Sequence, residues 1–260
     1  MDGEFAGRVA IVTGSSRSLG ATIAQTLSAR GAQVAIHYAR DAERARKVTE
    51  AIGRSGGVVE LFQADLAAAD SAQRLAADVL ERFGHVDILV NNVGPYSDVP
   101  FVKLPAAEWD RVMNSGLRAA YLLAQAFAPS MKDGGRGSIV NISAGSAFIR
   151  VHSVYGLAKA ALIHLTESLA LELAPEVRVN AVAPGQIRES DEVLQIDPQY
   201  ISRMIESTPL QRLVTRQEVA DAVCLLCSNV LPSLTGQTLA LDGGWSIPAG
   251  RATPVLNASV

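Results

Sequence analysis

The sequence of 260 residues contains few cysteines and few aromatic residues, and neither sign of charge predominates. Its two cysteines, Cys224 and Cys227, lie in one apolar stretch. A metal site would need further ligands, and the nearest histidine in sequence is distant, at His164. We therefore interpret the two thiols as core residues rather than a redox pair, and we predict no metal site.

The charge balance excludes two classes of partner. Lysine and arginine number 23 against 26 aspartates and glutamates, so the sequence gives no reason to expect nucleic acid or an anionic membrane as partner. No apolar run is long enough to span a bilayer, and the amino terminus lacks the basic start and apolar middle of a signal peptide. The sequence thus predicts a cytoplasmic protein.

Short β-branched runs alternate with amphipathic segments along almost the whole chain. We predict strands at 8–12, 33–38, 58–63, 86–90, 138–142, 177–182 and 238–241. We predict helices at 19–30, 41–54, 71–83, 106–131, 154–173 and 218–227. Apolar strands separated by helices predict an α/β fold, a doubly wound, Rossmann-type parallel sheet with helices on both faces. No linker or repeat divides residues 1–260, so we predict a single domain.

Two segments depart from this alternation. Residues 186–212 are polar, and we expect an irregular lid or substrate loop there. Residues 250–260 are expected to form a loose tail or to pack on a partner subunit.

The first predicted strand runs directly into a glycine-containing segment, TGSSRSLG at 13–20, where a helix begins. Glycines in this context let the backbone turn tightly and approach a pyrophosphate, whose charge then faces the helix amino terminus. An ordinary turn is the alternative if this run is considered alone.

The segment at 13–20 resembles the Thr-Gly-x-x-x-Gly-x-Gly motif of the short-chain dehydrogenase/reductase family, with Ser18 in place of the middle glycine. The resemblance covers nearly the whole chain, through Asn-Asn-Val-Gly at 91–94, Asp-Leu at 65–66, Pro-Gly at 184–185 and a carboxy-terminal signature at 235–244. It implies a set of residues that bind the dinucleotide. They are Gly14, Ser16, Arg17, Ser18, Leu19, Gly20, Tyr38, Arg40, Asp65, Leu66, Asn92, Gly94, Tyr155, Lys159, Pro184, Gly185 and Ile187.

The end of the second strand favours NADP(H) over NAD(H). NAD sites usually place an acidic residue there to hold the ribose hydroxyls. Here no acid precedes Asp41, which is adequately explained as a helix N-cap. Arg40 and Arg17 could instead pair with a 2′-phosphate.

Tyr155 and Lys159 resemble the family's Tyr-x-x-x-Lys pair, which implies that Tyr155 is the catalytic acid/base. Residues at i and i+4 share one helical face, so both side chains can reach the same nicotinamide ribose. A free tyrosine has a pKa of about 10, and a nearby ammonium lowers that pKa by stabilising the phenolate.

Other family positions are changed. The helix asparagine falls on Gly116, and Asn114 faces the wrong way to replace it. The family serine falls on Ala144. Two further catalytic candidates could stand in for it. Ser143 would point to the opposite strand face, whereas Ser146 lies on the same side if the chain stays extended.

Substrate contacts are predicted at Tyr96, His152 and Gln186. The family's Pro-Gly-x-Ile-x-Thr has Glu189 at its last position, so the hydroxyl that often meets the nicotinamide amide is replaced. Arg188, Glu189 and Ser190 are therefore further candidates for cofactor or substrate contact.

These residues predict an NADP(H)-dependent oxidoreductase that interconverts a carbonyl and an alcohol on a small organic substrate. Because Gly116 and Ala144 replace family residues, two alternatives stay open. One is a lyase, dehydratase or cyclase without net redox, and the other is an NADP(H) sensor. The resemblance also implies that the helices at 106–131 and 154–173 pair across subunits, giving a homodimer or homotetramer.

Overall fold

The computed structural model describes residues 3–149, 153–189 and 198–247. Its centre is a seven-stranded sheet in which every neighbouring pair is parallel, in the order β3-β2-β1-β4-β5-β6-β7. The strands are β1 (Val9–Val12), β2 (Gln33–Tyr38), β3 (Val59–Gln63), β4 (Ile88–Asn91), β5 (Gly137–Ile142), β6 (Val177–Pro184) and β7 (Thr238–Leu241).

Helices cover both faces of this sheet. They are α1 (Ser18–Ala29), α2 (Ala42–Arg54), α3 (Ser71–Phe83), α4 (Ala106–Met113), α5 (Ala119–Gly134), α6 (Val154–Leu173), α7 (Pro198–Glu206) and α8 (Arg216–Cys227). Side chains of α1, α2 and α8 form one core cluster, and those of α3, α5 and α6 form the other. The predicted doubly wound fold is confirmed. Among the described helices, none is long and apolar enough to cross a membrane.

Two sequence predictions need correction. The helix predicted at 106–131 is interrupted by a π-helical turn, Asn114–Arg118, between α4 and α5. The segment at 186–212 is not irregular throughout, because it contains α7. The apolar residues of α7, Ile201, Met204 and Ile205, have helical spacing and are half-buried, but the helix is short and surrounded by polar sequence.

The cysteines are part of the core, as predicted. Cys224 and Cys227 are free and buried on α8, and burial raises the pKa of both thiols. Within the described ranges, no three metal-binding side chains lie together.

The strand order creates a crevice at the carboxyl edge of the sheet. The chain proceeds from β1 outward to β3 and then returns to the other side of β1 to form β4. In open α/β sheets, ligands bind where the strand order reverses in this way. The loops after β1, β4, β5 and β6 all open at this edge, and they carry most of the predicted site residues.

Candidate active site

The loop after β1 requires glycine at two positions. Gly14 has a φ of +66°, a conformation that side chains other than hydrogen disfavour. Gly20 lies in the first turn of α1, where a Cβ would come within 2.3 Å of the Gly14 carbonyl oxygen. The loop therefore brings its backbone close to the amino end of α1, as a diphosphate-binding turn requires.

Ser18, at the family's middle glycine position, has a backbone conformation that favours glycine. Its φ is +49°, in the left-handed region, which costs a non-glycine residue about 1 kcal/mol. The serine also adds a hydroxyl, whose oxygen accepts a hydrogen bond from Arg216 Nη2 at 3.3 Å.

Thr13 and Asn92 fasten the glycine loop to the turn after β4. The Thr13 hydroxyl oxygen accepts hydrogen bonds from the backbone N–H groups of Asn92 (2.9 Å) and Val93 (3.2 Å). In return, the Asn92 amide donates to the Thr13 carbonyl at 2.9 Å. The loops after β1 and β4 are thus held together, which explains why a side-chain amide is needed at 92.

His37 supports the same loop, a role that was not predicted from the sequence. The Gly14 N–H donates to His37 Nδ1 (2.9 Å), so Nε2 carries the proton and donates to the Ala64 carbonyl (2.9 Å). Burial lowers the pKa of His37 to about 4, which keeps the ring neutral. A histidine within an otherwise apolar strand was the available signal.

The side chains predicted to select the cofactor lie near the ends of β2 and β3. Arg40 is exposed, and its Nη2 lies 3.9 Å from the Asp65 carboxylate, an ion pair open to solvent. Arg17 is also exposed, at the N-cap of α1, while Tyr38 is half-buried and Leu66 is buried. Arg17 and Arg40 are therefore accessible to a ligand at this end of the crevice.

Lys159 is held in a buried position next to Tyr155. Its Nζ donates to the Ile142 carbonyl at 2.7 Å and lies 5.5 Å from the centre of the Tyr155 ring. A Cβ on Gly94 would come within 2.4 Å of this nitrogen, so glycine at 94 makes room for the ammonium. Burial lowers the pKa of Lys159 to about 8.

Hydrogen bonds on α6 fix the position of this pair. Ser153 caps the helix by accepting from the Gly156 N–H at 3.0 Å. Further along α6, Thr166 accepts from the Asn141 amide, whose oxygen accepts from the Asn91 amide, each at 2.9 Å. This buried chain links α6 to β4 and β5, and so aligns Tyr155 and Lys159 with the carboxyl edge.

Gly116 leaves space where the family has an asparagine. It is buried in the π-helical turn, and a Cβ there would meet only the Gly94 Cα, at 3.8 Å. Asn114 lies elsewhere, in a groove of about 430 Å³ that it lines with residues of the π-helical turn, α5 and α6, including Leu117, Tyr121 and Leu165. Asn114 therefore does not replace the family asparagine at the position of Gly116.

The two candidate serines differ in their surroundings. The Ser143 hydroxyl donates to the Lys159 carbonyl at 2.9 Å, so its proton is engaged on α6. The chain does not stay extended to Ser146, because a short 3-10 helix, Gly145–Ala147, begins after Ala144. The Ser146 hydroxyl oxygen is nonetheless buried and has no hydrogen-bond partner among the described residues.

The predicted substrate side is only partly described. The Tyr96 side chain is exposed, and its ring packs edge-on against Tyr155 with centroids 5.3 Å apart. Gln186 lines a small cavity with Trp245. His152 and Ser190, together with the predicted tail at 250–260, lie outside the described residues.

Residues 185–189, which follow β6, form a stem that packs against neighbouring segments. A Cβ on Gly185 would come within 2.9 Å of the Asp242 backbone, and Ile187 forms a parallel bridge with Val214. The stem continues to Glu189, which contacts Arg216 at the start of α8. Pro184, Gly185 and Ile187 are therefore fixed at the carboxyl edge beside the glycine loop.

Comparisons with known proteins agree with this geometry. A family model described as enoyl-(acyl carrier protein) reductase matches residues 14–246. The 3-oxoacyl-[acyl-carrier-protein] reductase FabG of Staphylococcus epidermidis is 34% identical over 238 residues, covering 90% of this chain and 97% of its own.

Two solved structures are also similar to this chain over most of its length. A short-chain dehydrogenase/reductase from Serratia marcescens has a TM-score of 0.88 at 32% identity and covers 94% of this chain and 99% of its own. A 7α-hydroxysteroid dehydrogenase complexed with NADH and 7-oxoglycochenodeoxycholic acid has the same TM-score and identity, covering 94% and 96%. With the glycine loop, the Asn-Asn-Val-Gly turn and the Tyr155–Lys159 pair, these matches show that the chain is an oxidoreductase of the short-chain dehydrogenase/reductase family.

Proposed function

We propose that the chain is an NADP(H)-dependent oxidoreductase that interconverts a carbonyl and an alcohol on a small organic substrate. The observation that carries this proposal is the buried Lys159 ammonium beside the Tyr155 ring, at the edge where the glycine loop opens. The absence of a side chain at Gly14, Gly20 and Gly94 leaves room in the crevice, as a dinucleotide requires.

Tyr155 acts as the acid/base. The dinucleotide, when bound, supplies or accepts the hydride at the substrate carbon. In reduction, the Tyr155 hydroxyl donates its proton to the carbonyl oxygen, and in oxidation the phenolate takes the proton from the alcohol. With a pKa of about 8, Lys159 is mostly charged at pH 7, and its ammonium stabilises the phenolate.

Ser146 is our candidate for the donor to the substrate oxygen. Its buried hydroxyl lacks a partner among the described residues, whereas the Ser143 proton is already engaged by the Lys159 carbonyl. Removing such a donor typically lowers the rate about a hundredfold. We expect this loss in Ser146→Ala and a smaller one in Ser143→Ala. The reverse order would assign the donor to Ser143, and no loss in either would favour a substrate that supplies its own hydroxyl.

The preference for NADP(H) is proposed from Arg17 and Arg40. Both are exposed near the end of β2, and residues 33–40 contain no acid. A solved relative of the same fold is complexed with NADH, so the fold alone does not select NADP(H). Arg40→Asp should weaken NADPH binding about tenfold or more while sparing NADH, since a charge-assisted bond is lost. Equal losses for both dinucleotides would contradict this assignment.

We also propose that the chain forms a homodimer or homotetramer through α5 and α6. The groove between these helices is mostly apolar, and Tyr121 at its edge is 43% exposed. A second copy would bury this surface. Light scattering that gave the mass of a monomer would contradict the proposal.

The deciding experiment is titration of NADPH and NADH by fluorescence, followed by absorbance at the reduced nicotinamide band with ketones, quinones and imines. We expect tight NADPH binding, together with turnover that falls about a hundredfold or more in Tyr155→Phe. Tyr155→Phe should still bind NADPH, because the variant loses one hydroxyl and keeps the other residues of the predicted dinucleotide site. Tight binding without oxidation of the cofactor would favour the lyase, dehydratase or cyclase alternative, or a sensor.

A further inference from the structure

Arg216 contacts two positions at which the chain departs from the family's dinucleotide motifs. Its Nη2 donates to the hydroxyl of Ser18, which replaces the middle glycine of the first motif. The same nitrogen donates to the carbonyl oxygen of Glu189, which replaces the threonine after β6. One side chain thus connects the glycine loop to the stem that begins the predicted substrate loop.

The Glu189 carboxylate is held by the same residue. Its Oε2 accepts a hydrogen bond from the backbone N–H of Arg216 at 3.1 Å. Arg216 is the first residue of α8, so this carboxylate lies at a helix amino terminus, where negative charge is stabilised. The acidic side chain is thereby directed at α8.

This arrangement matters because a dinucleotide carries a negatively charged diphosphate. A carboxylate facing that diphosphate would repel it, and the repulsion would be stronger in a partly buried crevice than in water. The Arg216 guanidinium adds one positive charge beside Ser18, in the loop that would approach the diphosphate. It therefore offsets the charge that Glu189 introduces.

We propose that Arg216 is a positioning residue of the dinucleotide site. Its guanidinium holds Ser18 against the Glu189 backbone and places a positive charge beside the glycine loop. The Glu189 carboxylate is held separately, by the backbone N–H of residue 216. The proposal rests on one part of the proposed function, the binding of a dinucleotide. It assigns to Arg216 a role in affinity and none in proton transfer.

Arg212 provides a matched control. It lies on the same segment and donates to the Glu218 carboxylate at 3.0 and 2.7 Å, at the same end of α8. Arg212→Ala therefore removes the same charge and two side-chain hydrogen bonds at the same end of α8, but it leaves the contacts of Ser18 and Glu189 unchanged.

The experiment measures the Kd of NADPH, and of NADH if that binds more tightly, by fluorescence titration together with the Tm of each unliganded variant. We expect Arg216→Ala to raise the Kd about tenfold, since hydrogen bonds from a charged group are lost, and Arg212→Ala to change it by less than about twofold. In a Ser18→Gly background, Arg216→Ala should raise the Kd by less than it does in the wild type, because the Ser18 hydroxyl is then absent while the Glu189 carbonyl remains.

Repeating the titration in Tyr155→Phe separates this proposal from the proposed reaction, since binding is then measured without turnover. An unchanged Kd in Arg216→Ala, or equal losses in the Arg216 and Arg212 variants, would overturn the proposal. So would a wild-type chain that binds neither dinucleotide. If Arg216→Ala does not fold, Arg216→Gln takes its place, and an unchanged Kd in that variant overturns the proposal equally.

Discussion

The two halves of the crevice are built differently, although both lie at the carboxyl edge of one sheet. In the cofactor half, Thr13, His37 and Asn92 hold the glycine loop through hydrogen bonds between side chains and backbone. In the substrate half, beyond the nicotinamide ribose that Lys159 is predicted to hold, Gly116 and Ala144 supply no polar side chain where the family has an asparagine and a serine.

Two positions that differ from the family motifs, Ser18 and Gly116, show whether a new contact accompanies the change. Ser18 departs from the family pattern, has a φ in the left-handed region and contacts Arg216. Gly116 departs from the pattern as well, and it has no side chain to make a contact. The change at 18 thus comes with a new contact, whereas the change at 116 does not.

Adding a single methyl group to the glycine loop should weaken dinucleotide binding in the cofactor half. In Gly20→Ala the new Cβ would overlap the Gly14 carbonyl oxygen, and the loop would have to shift. Overpacking typically costs about 1–3 kcal/mol, so we expect the Kd of NADPH in a fluorescence titration to rise by up to about a hundredfold.

The control for that change is Gly53→Ala. Gly53 lies in α2, and a Cβ there would meet nothing within 4 Å. This variant should bind NADPH like the wild type and should unfold at a slightly higher temperature, because alanine favours helix. Equal Kd values for NADPH in Gly20→Ala and Gly53→Ala would show that the glycine loop is not part of the dinucleotide site.

Gly116→Asn tests the substrate half of the crevice. Space is available for its Cβ, so the variant should fold, and the amide would restore a polar group beside Gly94. If the missing donor limits the reaction, we expect kcat to rise about tenfold, part of the hundredfold that such a donor contributes. Gly116→Ala is the control, and an equal kcat in both variants would mean that the substrate half does not need the amide.

The smallest expected effect concerns His37 and pH. The folded-state pKa of His37 is about 4, below its ordinary value of 6.5, so the folded protein binds fewer protons between these values. Stability is therefore fully present above pH 6.5 and declines as the pH falls toward 4. Relative to His37→Gln, which does not titrate, the wild type should lose about 1 kcal/mol between pH 6.5 and 5.5. Urea unfolding at both pH values measures this difference, and parallel curves would contradict it.

Much of the fold could be predicted, because hydrophobic periodicity is a local property. Strands β2 and β7 and helices α3 and α6 have the boundaries that the pattern predicted. The π-helical turn at Asn114–Arg118 could not be predicted, since its residues fit a regular helix equally well. Helix α7 was missed because polar residues surround its three apolar ones.

By itself, the sequence determined the family, the parallel sheet and the positions of Gly14, Gly20, Tyr155 and Lys159. These depend on spacing along the chain, which a sequence displays directly. The tertiary structure alone decided that His37 and Arg216 contact the glycine loop, and that the Ser143 proton is engaged while the Ser146 hydroxyl has no partner among the described residues. Their partners include residues up to 198 positions away, and contacts between distant segments depend on how the elements pack.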